Sequence, residues 1–558
     1  MLTVTDNQVR VETRTLTAIL DNGLVTSLVR KSDNKELIRA KAGDALPLQL
    51  IYGKDELVGL DCSLGGRVTC RRYNDHLGEV RIESWHGDGV IVIQEDTDTG
   101  DLVIEPSGYA SRPGLRSCRW TLAGIADDLE LIAPLWQGVR LPLEDPLIHK
   151  TFWRWPQAWE AGLAILHGRD GGVWVHCQDT HYRHKNLQIG GADSVRCLGF
   201  DTESYGPLEG SLAAGGLAWR VNVYTGDWQV PAHQYRQWLE RAYRLDNRDY
   251  PEWLHDLRLA ISWCPAEPAI LDALAKRMDP KRVLLHLPNW RTDGYDENYP
   301  TFQPSDSARA FIAKGKQMGF HVMPHFNAID MDPSHPTYAF VRDFQYRDLV
   351  TRRVMGWSWR DGKVLGVPES NAARMQHRSD KVMIKVHPGL AMWRSILAES
   401  VQQPVRALSL DIVFLDVSHN TFNLANCFVE NMTSTEGMKR LLAHIAAIDG
   451  LVAVAGEGRN EIVATEEAVT QVHLFNSSGR ANVAGLERTG KCALNEFLFG
   501  KWCRSFGYSW LGGGTPEERL RMQLHVDLGC IPTLTIHSAG EIEQPNEAVA
   551  TMLKRASE

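Results

Sequence analysis

Beyond about residue 250 the sequence repeats one pattern eight times, a short apolar run followed by a stretch with helical spacing. The runs are LRLAISW (257–263), RVLLHLP (282–288), FHVMPHF (320–326), LDIVFLD (410–416), LVAVAG (451–456), TQVHLF (470–475), a weaker RSFGYSW (504–510) and PTLTI (532–536). Strands that are apolar throughout and alternate with helices belong to a parallel sheet covered on both faces, and eight such units fit a closed (β/α)8 TIM barrel. The third and fourth runs are separated by a segment at about 330–402, too long for an ordinary connection, which holds Trp357, Trp359 and an extra apolar element, KVMIKVHP. An insertion of this kind at the C-terminal face of a barrel helps to build or cover its site.

The preceding part has a different texture. From Gln8 to about Tyr224, alternating runs such as QVRVETRTLTAIL, LVTSLVRK, GVIVIQE and LAWRVNVYT are broken by turn signals, of which Asp21-Asn22-Gly23 is the clearest. Period-two alternation with Asn-Gly turns predicts an antiparallel β-sandwich. The expected organisation is an antiparallel β-sandwich over 1–229, a helical linker over 230–250 and a barrel over 251–558. At 558 residues, two large domains are the default.

The formal charge of −9 is spread along the chain without a Lys/Arg block. That argues against nucleic-acid and anionic-membrane partners and leaves a neutral small molecule or sugar as the ligand. The N-terminal MLTVTDNQVRVETRT has neither a basic nor an apolar signal region, and no stretch of about 18 apolar residues follows. Ten cysteines lack Cys-x-x-Cys spacing, so reduced thiols in a cytoplasmic protein are expected, with no metal or other cofactor. A homo-oligomer is compatible with all of this. Several of the eighteen tryptophans (Trp155, Trp159, Trp290, Trp357, Trp359 and Trp393) stand in polar or irregular contexts where an indole could stack on a sugar, although most tryptophans serve packing.

Barrel enzymes hold their reactive groups at the C-terminal ends of strands, so the polar residues that end the apolar runs are the candidates. The fourth run ends at Asp416, followed by Ser418, His419 and Asn420, and the fifth at Gly456-Glu457, followed by Arg459. Carboxyls on successive strands at one end of a barrel can share a glycosidic bond. In a retaining hydrolase they stand about 5 to 5.5 Å apart, one attacking the anomeric carbon and the other serving as acid and then base. The shorter Asp416 suits the nucleophile and Glu457 the acid/base; a helix cap or an ion pair is the structural alternative for each. His325, Asn327 and Asp330 after the third run, Trp290 and Asp293 after the second, and Trp393, His419 and Arg459 are expected to bind substrate, Arg459 by holding Asp416 or a substrate group. Asp293, Asp296 and Asn298 lack the spacing of a calcium loop and read as a turn.

The segment TLTAILDNGLVTSLVRKSDNKELI resembles the opening strands of a galactose-mutarotase-like supersandwich, and GGVWVHCQDTHYRHKNLQI resembles the closing segment of that domain in endo-α-N-acetylgalactosaminidase-like hydrolases and their uncharacterised bacterial relatives. FLDVSHN and VAGEGRNE are similar to the places where that group keeps its aspartate nucleophile and glutamate acid/base. The resemblance implies retaining cleavage of an α-glycoside, with those roles on Asp416 and Glu457. Because the chain ends soon after the eighth run and shows no export signal, the expected substrate is a small α-linked glycoside or oligosaccharide, degraded from its end. A sugar isomerase or epimerase using Glu457 or His325 as base, and a carbohydrate-binding protein without turnover, are the competing readings. A metal-dependent amidohydrolase would need His-x-His where the first run ends Ser262-Trp263-Cys264-Pro265.

Overall fold

The computed structural model describes residues 1–62, 65–190, 195–248, 250–361, 363–376, 380–474, 487–488 and 492–558. The chain forms two compact units, Met1–Ala242 and Tyr243–Glu558. Phe475, the last residue of the sixth apolar run, lies outside the described residues.

The first unit is built from antiparallel sheets of five, ten and six strands. The Asn22-Gly23 turn joins Leu16–Asp21 to Leu24–Arg30, with both turn residues at positive φ, as a tight hairpin requires. Trp120, Trp159, Phe200 and Trp219 form its aromatic centre, with ring centroids 5.0 to 6.4 Å apart. Trp155 and Trp159, expected as sugar-stacking rings, are therefore core residues, 2% and 0% exposed. The helix Gln229–Tyr243 follows the last strand.

The second unit is an eight-stranded, nearly closed parallel barrel. Its strands are β1 (Leu259–Ile261), β2 (Val283–Leu287), β3 (His321–Asn327), β4 (Ile412–Asp416), β5 (Ala453–Glu457), β6 (Val469–Val472), β7 (Arg504–Gly507) and β8 (Thr533–Leu534). Each strand from β1 to β6 pairs with the next in sequence, and β8 pairs with β1. A single parallel bridge, Phe506 to Ile531, joins β7 to the approach to β8. The predicted antiparallel sandwich followed by a TIM barrel is thus the observed fold.

The connecting helices follow from local chemistry. Thr433 and Glu436 form a reciprocal capping box that starts Ser434–Ala446. Between β3 and β4 the insertion makes a four-stranded antiparallel sheet of its own, from Asp330–Met331, Gly356–Arg360, Lys363–Leu365 and Met383–Lys385. KVMIKVHP supplies the last of these strands. The chain then returns to β4 through the helix Ala391–Leu408. No helix among the described residues is long and apolar enough to cross a membrane.

Candidate active site

Parallel register sets the site. Asn327 stands opposite Asp416, Leu415 opposite Gly456, and Glu457 opposite Gln471, so the ends of β3 to β6 present polar side chains at one level. Asp416 and Glu457 are 7% and 6% exposed and end neighbouring strands, near enough for the charge of one to act on the other. Two buried like charges this near repel, and the neighbours of each decide how it bears its charge. Burial and the charge of Glu457 push Asp416 above the ordinary carboxylate range, against the pull of His325. Burial also opposes charge on Glu457, yet His419 and the hydrogen bond from His473 outweigh it and hold that carboxyl well below its usual value.

The neighbours of each carboxyl differ accordingly. Glu457 Oε1 is 2.8 Å from His473 Nε2, and Oε2 accepts the Val417 N–H at 3.2 Å and lies 3.4 Å from His419 Nδ1. Val417 has φ 55°, a left-handed conformation that is strained for a β-branched residue and that turns its N–H toward Glu457. Gly458 has φ 77°, and a Cβ there would stand 2.7 Å from the His419 Cβ, so glycine is what lets that histidine approach. Asp416 Oδ2 is 3.4 Å from the Tyr295 hydroxyl, 3.5 Å from Asn327 Nδ2 and 3.6 Å from His325 Nε2.

The tautomer of His325 follows from its contacts. Trp263 N–H donates to His286 Nδ1, and His286 Nε2 lies 3.1 Å from His325 Nδ1. Burial drives the His286 pKa well below its ordinary value, so this imidazole is neutral and its single proton sits on Nε2. His325 Nδ1 is then the acceptor, and His325 carries its own proton on Nε2, the atom nearest Asp416.

A second carboxylate group lies beside the pair. Asp330 accepts from Asn327 Nδ2 at 2.9 Å and from Lys385 Nζ at 3.0 Å; burial raises its pKa to about 7, against the lysine. Asp296 accepts the indole N–H groups of Trp359 at 2.7 Å and Trp357 at 3.3 Å, while its buried Oδ1 has no partner among the described residues. Burial raises Asp296 as well, with the charge of Asp416 adding to the effect. Behind β5, Glu467 is fully buried beside the hydroxyls of Ser418 and Thr470, and burial lifts its pKa to about 8. Ser418 in turn accepts the Glu457 N–H at 2.9 Å and donates to the Glu457 carbonyl at 3.2 Å, which ties β5 to the end of β4.

Of the expected site residues, Asp416, Glu457, His325, Asn327, Asp330 and His419 converge. Three do not. Trp290 is fully buried with its N–H on the His325 carbonyl at 2.7 Å, and Trp393 is fully buried with its N–H on the Ala328 carbonyl at 3.1 Å; both hold the end of β3 from behind. Arg459, expected to hold Asp416 or substrate, pairs with Glu496 at 2.5 Å and with the Cys503 carbonyl at 3.3 Å. Asp293 is half-buried and accepts from Asn298 at 3.3 Å inside the loop after β2. No cluster of three or more metal-ligating side chains occurs among the described residues. Sequence reasoning did not bring His286, Tyr295, Lys385, His473 and Tyr508 into the site; His286 lies within β2, Tyr295, His473 and Tyr508 follow strands, and Lys385 sits in the insertion, but only the folded barrel brings them near the carboxyls.

A family model described as a domain of unknown function (DUF6259) matches residues 217–439. No curated protein matches the sequence. Among solved structures, the chain is similar to ligand-free alpha-N-acetylgalactosaminidase NagBb from Bifidobacterium bifidum, with a TM-score of 0.68 at 13% identity, over 100% of this chain and 93% of that one. NagBb in complex with Gal-NHAc-DNJ gives a TM-score of 0.69 at 13% identity, over 98% and 92% of the two chains. A GH36 alpha-galactosidase variant of AgaA from Geobacillus stearothermophilus, in complex with 1-deoxygalactonojirimycin, gives 0.50 at 9% identity, over 98% and 85%. These likenesses establish the shared fold.

Proposed function

We propose that the protein is a retaining glycoside hydrolase that removes a sugar from the end of a small α-linked glycoside or oligosaccharide. The observation that carries this reading is that Asp416 and Glu457, both buried, end adjacent barrel strands and act electrostatically on one another. Inverting enzymes separate their carboxyls by about 6.5 to 9.5 Å to admit a water, whereas retaining ones hold them at about 5 to 5.5 Å, a spacing that side chains on neighbouring strand ends suit. The preference for an α-linkage, and for galactose or N-acetylgalactosamine as the sugar to try first, rests on the likeness to NagBb.

Double displacement needs Asp416 ionised and Glu457 protonated when the sugar is bound, whereas in the empty site burial and the Glu457 charge push the Asp416 pKa up, and His419 and His473 hold that of Glu457 down. Bound substrate must therefore change the surroundings of the pair. Asp416 then attacks the anomeric carbon while Glu457 gives its proton to the departing glycosidic oxygen. In the second half Glu457 takes a proton from water, whose oxygen displaces Asp416 from the anomeric carbon. Asp296, with its unpaired oxygen, and His325 Nε2–H are placed to meet sugar hydroxyls. The ten cysteines form no disulfide, which fits a reducing cytoplasm.

The test is a panel of 4-nitrophenyl α- and β-glycosides, beginning with α-N-acetylgalactosaminide and α-galactoside, with the released anomer followed by NMR. The α-sugar as first product from an α-glycoside is expected. A first product of inverted configuration, or turnover that survives Asp416→Asn, would overturn the proposal.

A further inference from the structure

His286 lies within β2 and is fully buried in an aromatic part of the barrel interior, with the rings of Phe414 and Phe506 at 4.5 and 6.1 Å from its own. Branched aliphatic side chains ordinarily fill this space in a barrel, and an imidazole put there costs free energy unless its nitrogens are bonded. Both nitrogens of His286 are engaged, and they face two different strands.

On one side is the end of β1. Cys264 N–H donates to the His286 carbonyl at 2.8 Å, and Trp263, left-handed with φ 57°, gives its N–H to His286 Nδ1 at 3.4 Å. On the other side is β3, where His325 Nδ1 lies 3.1 Å from His286 Nε2. Burial and the nearby His325 keep the His286 ring neutral against the pull of Glu457.

The direction of this chain is fixed from its backbone end. An amide N–H can only donate, so His286 Nδ1 accepts and the one proton of the neutral ring sits on Nε2. That proton goes to His325 Nδ1 and leaves the His325 proton on its own Nε2. There the chain stops short: Nε2 is 3.6 Å from Asp416 Oδ2, too far for a hydrogen bond, and it has no partner among the described residues. His325 is 2% exposed, so this is a buried donor kept open at the edge of the reacting carboxyl, where a ligand oxygen can satisfy it.

His325 alone would be free to choose. With its proton on Nδ1 it would turn a lone pair toward Asp416 and toward any ligand oxygen bound there, which repels both. We propose that His286 is a positioning residue for the reaction, holding His325 in the tautomer that offers an N–H, never a lone pair, to a substrate oxygen beside Asp416. The role rests on the reading of Asp416 as the reactive carboxyl; the tautomer does not.

The full chain labelled with nitrogen-15 histidine reports the tautomers directly in long-range proton–nitrogen NMR spectra at neutral pH, the two rings being assigned from the signals lost in His286→Gln and in His325→Gln. A protonated Nε2 and a bare Nδ1 are expected in both rings, and a proton on Nδ1 of either would overturn the proposal. On an aryl α-glycoside, His286→Leu, which fills the space but cannot donate, should lower kcat/KM at least about tenfold. His286→Gln, whose amide N–H can still reach His325 Nδ1, should stay within about threefold of the parent. Equal losses in the two variants, or parental turnover in His286→Leu, would overturn the role. Should His286→Leu fail to fold, the parent spectra and His286→Gln decide, a loss of tenfold or more in the latter counting against it. Turnover that survives Asp416→Asn would instead remove the reading of the site, and the role with it, while leaving the tautomers unchanged.

Discussion

The barrel strand ends and the outer face of the six-stranded sheet both bury charge, but they resolve it in opposite ways. On the sheet, each buried carboxylate has its own guanidinium: Asp201 has Arg119 and Glu203 has Arg116. At the strand ends, Asp296, Asp330, Asp416, Glu457 and Glu467 are nearly or fully buried, and Lys385 is the cation paired with this group among the described residues. The rest of the balance comes from histidines and from protons. Paired charges hold one another ionised, whereas an excess of carboxyls must share protons with its surroundings.

Variants should separate the two regimes. Asp416→Asn is expected to lower kcat by about 10⁴-fold or more, measured on an aryl α-glycoside, because no neighbour can replace the attacking oxygen. Glu457→Gln should cost about 10²- to 10⁴-fold on substrates with poor leaving groups, and far less in the first step with a nitrophenyl leaving group, as pre-steady-state bursts would reveal. On the sheet, Arg119→Met leaves the buried Asp201 uncompensated and should destabilise the first unit by about 3 to 5 kcal/mol in urea unfolding. Arg119→Met with Asp201→Leu should recover most of that loss.

Glu467 gives a pH signature of its own. Its pKa rises from 4.5 to about 8 on folding, so the folded chain holds this proton more tightly than the unfolded one. The stabilisation is complete below pH 4.5 and is lost as pH climbs toward 8. Glu467→Gln cannot ionise and should melt at a temperature that falls less between pH 5 and 8 than that of the parent, as calorimetric scans across that range would show. The smallest expected effect is that of Trp359→Phe, which removes the 2.7 Å bond to Asp296 and should raise KM roughly five- to tenfold with little change in kcat.

The barrel was legible because its strands are apolar throughout, and the candidate carboxyls because each apolar run ends abruptly in a polar residue. Contacts across the ring were not legible. His473 and Tyr508 follow β6 and β7, and nothing in the local pattern says that one reaches Glu457 while its ring lies 4.2 Å from that of the other. The tryptophan reading failed at Trp290 and Trp393 for a definite reason. Polar neighbours in sequence suggest exposure, but at a strand end the backbone carbonyls of His325 and Ala328 satisfy a fully buried indole. Where the hydrogen-bond partner is backbone, side-chain composition carries no trace of it.

The closure of the barrel has a consequence for how the protein comes into being. Its last strand is two residues long, Thr533–Leu534, and the seam beside it adds one further bridge at Ile531. A ribosome that has already delivered Asp416 and Glu457 must still make more than seventy residues, roughly four to fifteen seconds of synthesis, before the ring can shut. During that interval the sandwich can complete its sheets while β1 lacks its second neighbour. The carboxyl pair is thus made well before its cage is finished, and the seam between β7 and β1 is the stretch of the nascent chain most in need of protection from other unpaired strands.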